Sequence, residues 1–241
     1  PGMSRARPNN MEPSPADFAL EQEPAPVSRT DKGVGSGPWL GGLEATCEDC
    51  MALMARYPDK HFDLAIVDPP YGIGEDGGKC RTRGSKRTNG EAKGWDKEPP
   101  PLEYFVELSR VSKHQIIWGG NYFGLPVSRG WLAWCKPDAP PSMGNLEMAW
   151  TNQDRNSKHF FWSIAATNGE RLGHPTQKPL ALISWTLSQF PNAVTVLDPF
   201  AGSGTTGRAC KDLGRKCVMI EREEKYCEMA ARRMGQEVLA L

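Results

Sequence analysis

The chain has 241 residues, enough for one large α/β domain around a shared core. Its 29 basic and 29 acidic side chains cancel, which excludes a global positive field, so any nucleic-acid contact must come from a local basic patch. No apolar run approaches the ~20 residues of a membrane span and no apolar signal segment opens the chain, so a soluble, cytoplasmic protein with no membrane partner is expected.

Residues 1 to 38 hold seven of the 21 prolines, together with Gly33, Gly35 and Gly37, and almost no periodic apolar pattern. A loosely attached arm is expected there, followed by a single domain over 39 to 241. The seven cysteines, irregularly placed, fit reduced thiols. Cys47 and Cys50 make the one C-x-x-C; without a second pair or nearby histidines they read as buried apolar thiols, and no metal site is expected. Residues 50 to 57 (CMALMARY) have the spacing of a short helix before a turn at Pro58 and Asp59, and FDLAIV, residues 62 to 67, reads as a buried strand.

That strand stops at Asp68-Pro69-Pro70-Tyr71-Gly72. Lys79, Arg81, Arg83, Lys86, Arg87 and Lys93 then stand against a single glutamate, and so polar a segment predicts a mobile loop over 72 to 94. A helix is expected at about 100 to 112, led by Pro99 to Pro101, then a strand QIIWG at 115 to 119. WLAWC at 131 to 135, LEMAW at 146 to 150 and HFFWSI at 159 to 164 are further strands. With no long helix between them, they predict an antiparallel edge on an otherwise parallel sheet. The last third alternates: a helix after Pro179, strand VTVLD at 194 to 198, a glycine turn, a helix at 205 to 213, strand KCVMIE at 216 to 221 and a helix at 223 to 234. The fold class expected is α/β, a doubly wound, mostly parallel sheet with an antiparallel strand.

In LDPFAGSGTT, residues 197 to 206, Asp198 closes a strand and Gly202 and Gly204 shape the turn that opens a helix. Such glycines let a ligand approach the backbone and the helix N-terminal amides. Dinucleotide-binding proteins share turns of this kind, but the carboxylate of Asp198, followed by Pro199 and Phe200, repels a pyrophosphate and attracts an ammonium or sulfonium. Glu221, 23 positions later at the next strand end, can accept hydrogen bonds from two ribose hydroxyls. A nucleoside joined to a cationic amino-acid tail fits both acids, and S-adenosylmethionine is that molecule.

Taken together, these motifs resemble the S-adenosylmethionine-dependent DNA amino-methyltransferases of the beta group, in which D-P-P-Y precedes F-x-G-S-G-T. Here Asp68 to Tyr71 come first and Phe200-Ala201-Gly202-Ser203-Gly204-Thr205 follow. HPTQKP, residues 174 to 179, is similar to the family's segment at the methionine end of the cofactor, which implies contacts from His174, Thr176, Gln177 and Lys178. Asp49 and Cys50 match the family's acidic position near the adenine, and WLAWCKP, residues 131 to 137, matches as well. The resemblance covers residues 43 to 235 and implies a Rossmann-like methyltransferase fold. It departs at Glu48, where the family usually has glycine, and in a short target-recognition stretch, about residues 138 to 173.

The resemblance implies that Asp68 and the Pro69 carbonyl accept the two N–H groups of an exocyclic amine and aim its lone pair at the methyl. Pro69 and Pro70 would fix that backbone, and Tyr71 would stack on a base flipped out of double-stranded DNA, its hydroxyl being optional. Transfer is expected in line, without a covalent enzyme intermediate or a metal. The six basic residues of 79 to 93 become the expected DNA contacts. Asn121, Tyr122 and Phe123 either line the base pocket or pack in the core. Asp at the head of the tetrapeptide points to adenine N6; cytosine N4, and a catalytically silent DNA-binding module, are the alternatives. A homodimer through the apolar edge around 115 to 135 and a monomer both remain open.

Overall fold

The computed structural model describes residues 42–74, 94, 96–141, 143–171 and 176–235. The expected arm, His174, and Lys79, Arg81, Arg83, Lys86, Arg87 and Lys93 of the basic segment lie outside the described residues. The described strands are β1 (Leu43–Cys47), β2 (Phe62–Val67), β3 (Ser112–Trp118), β4 (Trp131–Cys135), β5 (Leu146–Thr151), β6 (Lys158–Phe161), β7 (Thr195–Asp198) and β8 (Lys216–Glu221). They form one sheet in the order β1-β8-β7-β2-β3-β5-β4-β6. From β1 through β3 every pair is parallel.

Helices cover both faces, as the unbroken apolar runs of β2 and β8 require. Alternation along β2 sends Leu64 and Ile66 to one face, where they meet Leu182, Ile183 and Leu187 of α4 (Leu180–Ser188) and Ala209 and Cys210 of α5 (Thr205–Asp212). Ala65 and Val67 face the other way, onto Leu53 and Met54 of α1 (Cys50–Met54) and Tyr104, Leu108 and Val111 of α2 (Leu102–Val111). The last described element is α6 (Glu224–Gly235), against β1 and β8. Among the described residues, no helix is long and apolar enough to cross a membrane.

Three expectations need correction. The reversed strand is β5, and it is internal, antiparallel to β3 on one side and β4 on the other. The edge is β6, parallel to β4, and burial explains the arrangement. Ala149, Trp150 and Thr151 of β5 are buried, as an inner strand demands, whereas KHFF of β6 is mostly exposed. HFFWSI therefore does not continue as a strand; Ser163 caps α3 (Ile164–Gly169) by accepting from the Ala166 N–H at 3.0 Å. Finally, Cys47 is exposed at the end of β1 and Cys50 only half-buried, while among the described residues Cys210 and Cys217 are the buried thiols.

From β2 the chain proceeds to β3 on one side, and from β7 to β8 on the other. The sheet order thus reverses between β2 and β7, whose register pairs Leu64 with Val196 and Ala65 with Leu197. A crevice at the carboxyl ends of two such strands is where open α/β sheets bind ligands. Asp68 and Asp198 stand at those two ends.

Candidate active site

A cavity of about 470 Å³ opens at this reversal, within the range of small-molecule sites. Of the expected residues, Asp49, Cys50, Asp68, Pro70, Thr176, Gln177, Lys178, Asp198, Phe200, Gly202, Ser203, Thr205 and Glu221 all line it. Pro69, Tyr71 and Gly204 lie outside its lining, Pro69 buried and Tyr71 half-buried. Among the described residues the lining carries seven carboxylates (Glu48, Asp49, Asp68, Glu98, Asp198, Glu221 and Glu223) and two cations, Lys178 and Arg222, so the cavity suits a cationic ligand better than a pyrophosphate.

The glycine turn reads G-x-G-x-x-G through Gly202, Gly204 and Gly207, so its letters alone do not separate this site from a dinucleotide site. Gly202 and Gly204 have φ of +51° and +75°, which other residues adopt at a cost. A Cβ on Gly207 would lie 2.1 Å from the Met219 sulfur, so glycine is what lets α5 pack directly on β8. The neighbouring acids decide the ligand's charge. Asp198 is 5% exposed and accepts from the Phe200 N–H at 3.1 Å. Burial pushes its carboxyl up to about 7, with Asp68 and Glu221 adding to the rise, although hydrogen bonds from Thr206 and Phe200 oppose it. Such a group gains from a cation placed beside it.

Glu221 Oε2 accepts the Gly202 N–H at 2.9 Å, and its Oε1 takes the N–H groups of Arg222 and Glu223 at 2.8 Å, which ties β8 to the glycine turn. Asp49 caps α1, accepting from Met51 and Ala52 at 2.9 and 3.1 Å. Burial, reinforced by Asp49, pushes the Cys50 thiol up to about 11, so it serves as wall rather than nucleophile. Two lining side chains carry buried donors with no hydrogen-bond partner among the described residues, the Tyr104 hydroxyl and Trp118 Nε1. Orphan donors in a cavity wall are what a polar ligand would satisfy. The charge, volume and unpaired donors all fit S-adenosylmethionine.

At the end of β2 both oxygens of Asp68 are engaged. The Tyr71 hydroxyl donates to Oδ1 at 2.6 Å and the Lys178 ammonium to Oδ2 at 2.7 Å. Tyr71 stacks on half-exposed Tyr122, with centroids 5.0 Å apart and planes at 15°, and meets Phe123 edge-on. Gly119, at φ +70°, leaves room for the Tyr71 ring, which a Cβ there would meet at 2.2 Å. Burial, followed by the charges of Asp68 and Glu147, pushes the Tyr71 phenol well up, so it stays a donor.

The DNA methylase family matches residues 127–232. The type II methyltransferase M.HinfI of Haemophilus influenzae is 30% identical, over 78% of this chain and 67% of its own length. The chain belongs to the S-adenosylmethionine-dependent DNA amino-methyltransferases. The type II methyltransferase M2.MboI of Moraxella bovis is 26% identical, over 77% of this methyltransferase and 85% of that one. Among solved folds, the M1.HpyAVI–SAM complex superposes with a TM-score of 0.53 at 24% identity, covering 79% of this chain and 99% of that one. The cytosine-N4-specific PvuII DNA methyltransferase gives 0.54 at 15%, covering 83% and 88%.

The methyltransferase site also contains residues that sequence reasoning missed. Asp96, buried, accepts the Gly72 N–H at 2.8 Å and its carbonyl takes the Gly74 N–H at 3.0 Å, fixing the backbone just past Tyr71. Glu147 lies against Lys178 at 3.3 Å and bonds the Lys136 ammonium. A glutamate inside the apolar run LEMAW was the one available signal for it. Lys178, expected at the cofactor, has its ammonium on Asp68.

Proposed function

We propose that this methyltransferase modifies the exocyclic N6 amine of adenine in double-stranded DNA, with Asp68 and Tyr71 receiving the base and the acid-lined half of the cavity holding S-adenosylmethionine. The observation that carries the reading is that Asp68 and Asp198 stand at adjacent strand ends and line one cavity. A group bound beside Asp198 and Glu221 would therefore reach a group bound at Asp68.

The residues that would hold the cofactor are Asp198 and Glu221 at the strand ends, Asp49 and Cys50 in the wall, Phe200 and the turn Gly202 to Thr205, and Thr176 and Gln177. When bound, it supplies an electrophilic methyl on a sulfonium. The protein's own work falls on the amine, whose lone pair is delocalised into the ring. Asp68 accepts one N–H and the Pro69 carbonyl the other, which turns the lone pair out of the ring plane and toward the cavity. Asp68 Oδ1 already accepts a hydrogen bond, from the Tyr71 hydroxyl, so the amine takes over an acceptor that is in place. One amine proton leaves toward Asp68 as the nitrogen becomes methylated.

Tyr71 stacks on the base once it has left the duplex, an extrusion that costs a few kcal/mol. The backbone charges of the duplex are met by Lys79, Arg81, Arg83, Lys86, Arg87 and Lys93. Adenine is favoured over cytosine because aspartate heads the tetrapeptide. The test is transfer of labelled methyl from S-adenosylmethionine to unmethylated genomic DNA, followed by nucleoside analysis. N6-methyladenine is expected, and none with the Asp68→Ala protein. N4-methylcytosine alone would overturn the choice of base, and an active Asp68→Ala protein would overturn the chemistry.

A further inference from the structure

Lys178 belongs to a buried row of alternating charge. Its ammonium meets Asp68 Oδ2 at 2.7 Å, the Tyr71 hydroxyl at 3.4 Å and Glu147 Oε2 at 3.3 Å, and Glu147 Oε1 in turn bonds Lys136. The side chains of Lys136 and Lys178 are 6% and 10% exposed, too buried for solvent to substitute for a lost partner. Lys178 also lies 5.7 Å from the Tyr71 ring centre and 5.9 Å from that of Trp118, and Lys136 lies 4.5 Å from Trp134.

The Lys178 ammonium donates to Asp68 Oδ2 and to the Tyr71 hydroxyl and forms an ion pair with Glu147 Oε2. Two carboxylates of the protein thus compensate its charge without the carboxylate of a bound amino-acid tail. Burial alone would push this ammonium down, but Asp68 and Glu147 outweigh it and hold it above the ordinary lysine value, so the charge persists. Glu147, whose carboxyl is lowered by Lys178 and Lys136 against the effect of burial, remains the matching anion. Its Oε2 is shielded from solvent and has no hydrogen bond among the described residues, so Lys178 is the charge that compensates it.

We propose that Lys178, braced by Glu147 and Lys136, is a positioning residue for Asp68: it keeps Oδ2 engaged, so that Oδ1 is the oxygen presented to the target amine. The inference rests on the function proposed above. The reversed direction of β5 explains how Glu147 arrives at the site. The last residue of β3, Trp118, pairs with Ala149, so the start of β5 overhangs the carboxyl end of β3, beside Asp68. A strand running with the others would carry its first residues to the opposite edge of the sheet.

The experiment compares wild type, Lys178→Met, Lys178→Arg and Glu147→Gln by methyl transfer to unmethylated genomic DNA and by calorimetric titration with S-adenosylmethionine. Lys178→Met is expected to lower kcat about 100-fold, the scale of a 1 Å misplacement, with cofactor affinity within about threefold of wild type. Glu147→Gln should show the same split at about tenfold, and Lys178→Arg should recover most of the loss. Cofactor affinity that collapses in Lys178→Met while kcat at saturating cofactor is retained would overturn the proposal and return Lys178 to the cofactor. Should Lys178→Met fail to fold, Glu147→Gln decides, and wild-type kcat there overturns the bracing. Lys178→Met as active as an active wild type removes this proposal alone, whereas a wild type that methylates no DNA removes the function reading and this proposal with it.

Discussion

Asp198 gives the sharpest quantitative consequence of the site. Its carboxyl titrates at about 7 in the folded protein, against roughly 3.9 in an unfolded chain. Between those values the folded protein binds the proton and the unfolded chain does not, so stability falls as pH rises, by about 1.4 kcal/mol per pH unit. Over some three units the loss reaches a ceiling of about 4 kcal/mol, fully developed above pH 7. Asp198→Asn keeps the shape and removes the titration. The variant should match wild type near pH 4 and exceed it at pH 8 by up to about 4 kcal/mol, or about 8–16 °C in melting temperature for a domain of this size.

The assay is thermal melting of both proteins from pH 4 to 8 without cofactor, read as the difference between them so that other titrating groups cancel. A melting difference that stays constant across that range would refute the burial argument. Function should move the opposite way. An ionised Asp198 is the partner a cationic ligand needs, so cofactor binding to wild type at pH 6 should release up to about one proton, seen as a buffer-dependent calorimetric enthalpy. Asp198→Asn should bind more weakly and release none. A more stable, weaker-binding variant is what a site strained in favour of its ligand gives.

Gly207→Ala should destabilise the protein by about 1–3 kcal/mol in urea titration, because the new methyl group meets the Met219 sulfur and α5 must lift from β8. Asp63 accepts from Thr195 and Val194 and pairs with Lys113 at 2.8 Å, and these bonds outweigh burial to hold its carboxyl at about 2. Its depressed value means stability present above pH 4 and lost as pH falls toward 2, so Asp63→Asn should cost about 2 kcal/mol at pH 7 and nearly nothing at pH 2. Tyr71→Phe keeps the ring and removes the donor to Asp68 Oδ1, so kcat should fall less than about tenfold. Tyr71→Ala should fall by a further order of magnitude or so, in step with stacking worth about 1–3 kcal/mol, and an equal loss in both variants would contradict a stacking role.

How much of this was legible in the sequence depended on whether the determining contacts are local. FDLAIV, KCVMIE and the helices after Pro179 and in the last third carry their burial in their own letters, and the structure has elements there: β2 at Phe62–Val67, β8 at Lys216–Glu221 and α4 at Leu180–Ser188. β1 was missed because LEATC has one buried residue, Leu43, and is a strand only by virtue of its parallel pairing with β8. α3 was missed for a similar reason. Its start is secured by the carboxylate of Asp138, which accepts from Ile164 and Ala165 at 2.7 and 2.9 Å, and nothing within IAATNG announces that partner.

The site divides along the same line. Asp68 and Asp198 lie far apart in the sequence, yet each was legible because each ends an apolar strand beside residues that shape its own turn. Their adjacency was not, since it follows from the pairing of β2 with β7. That pairing also explains why the permuted order of the two motifs is harmless: a reversal in strand order exists in space, whichever motif the chain reaches first. The charges behind Asp68 need still more of the fold, because Lys178, Glu147 and Lys136 come from three segments and meet only if β5 runs backwards between β3 and β4. Reversing β5 therefore sets more than sheet order. It is what places a carboxylate from the middle of the sheet at the edge where the other strands end, within reach of the lysine that holds Asp68.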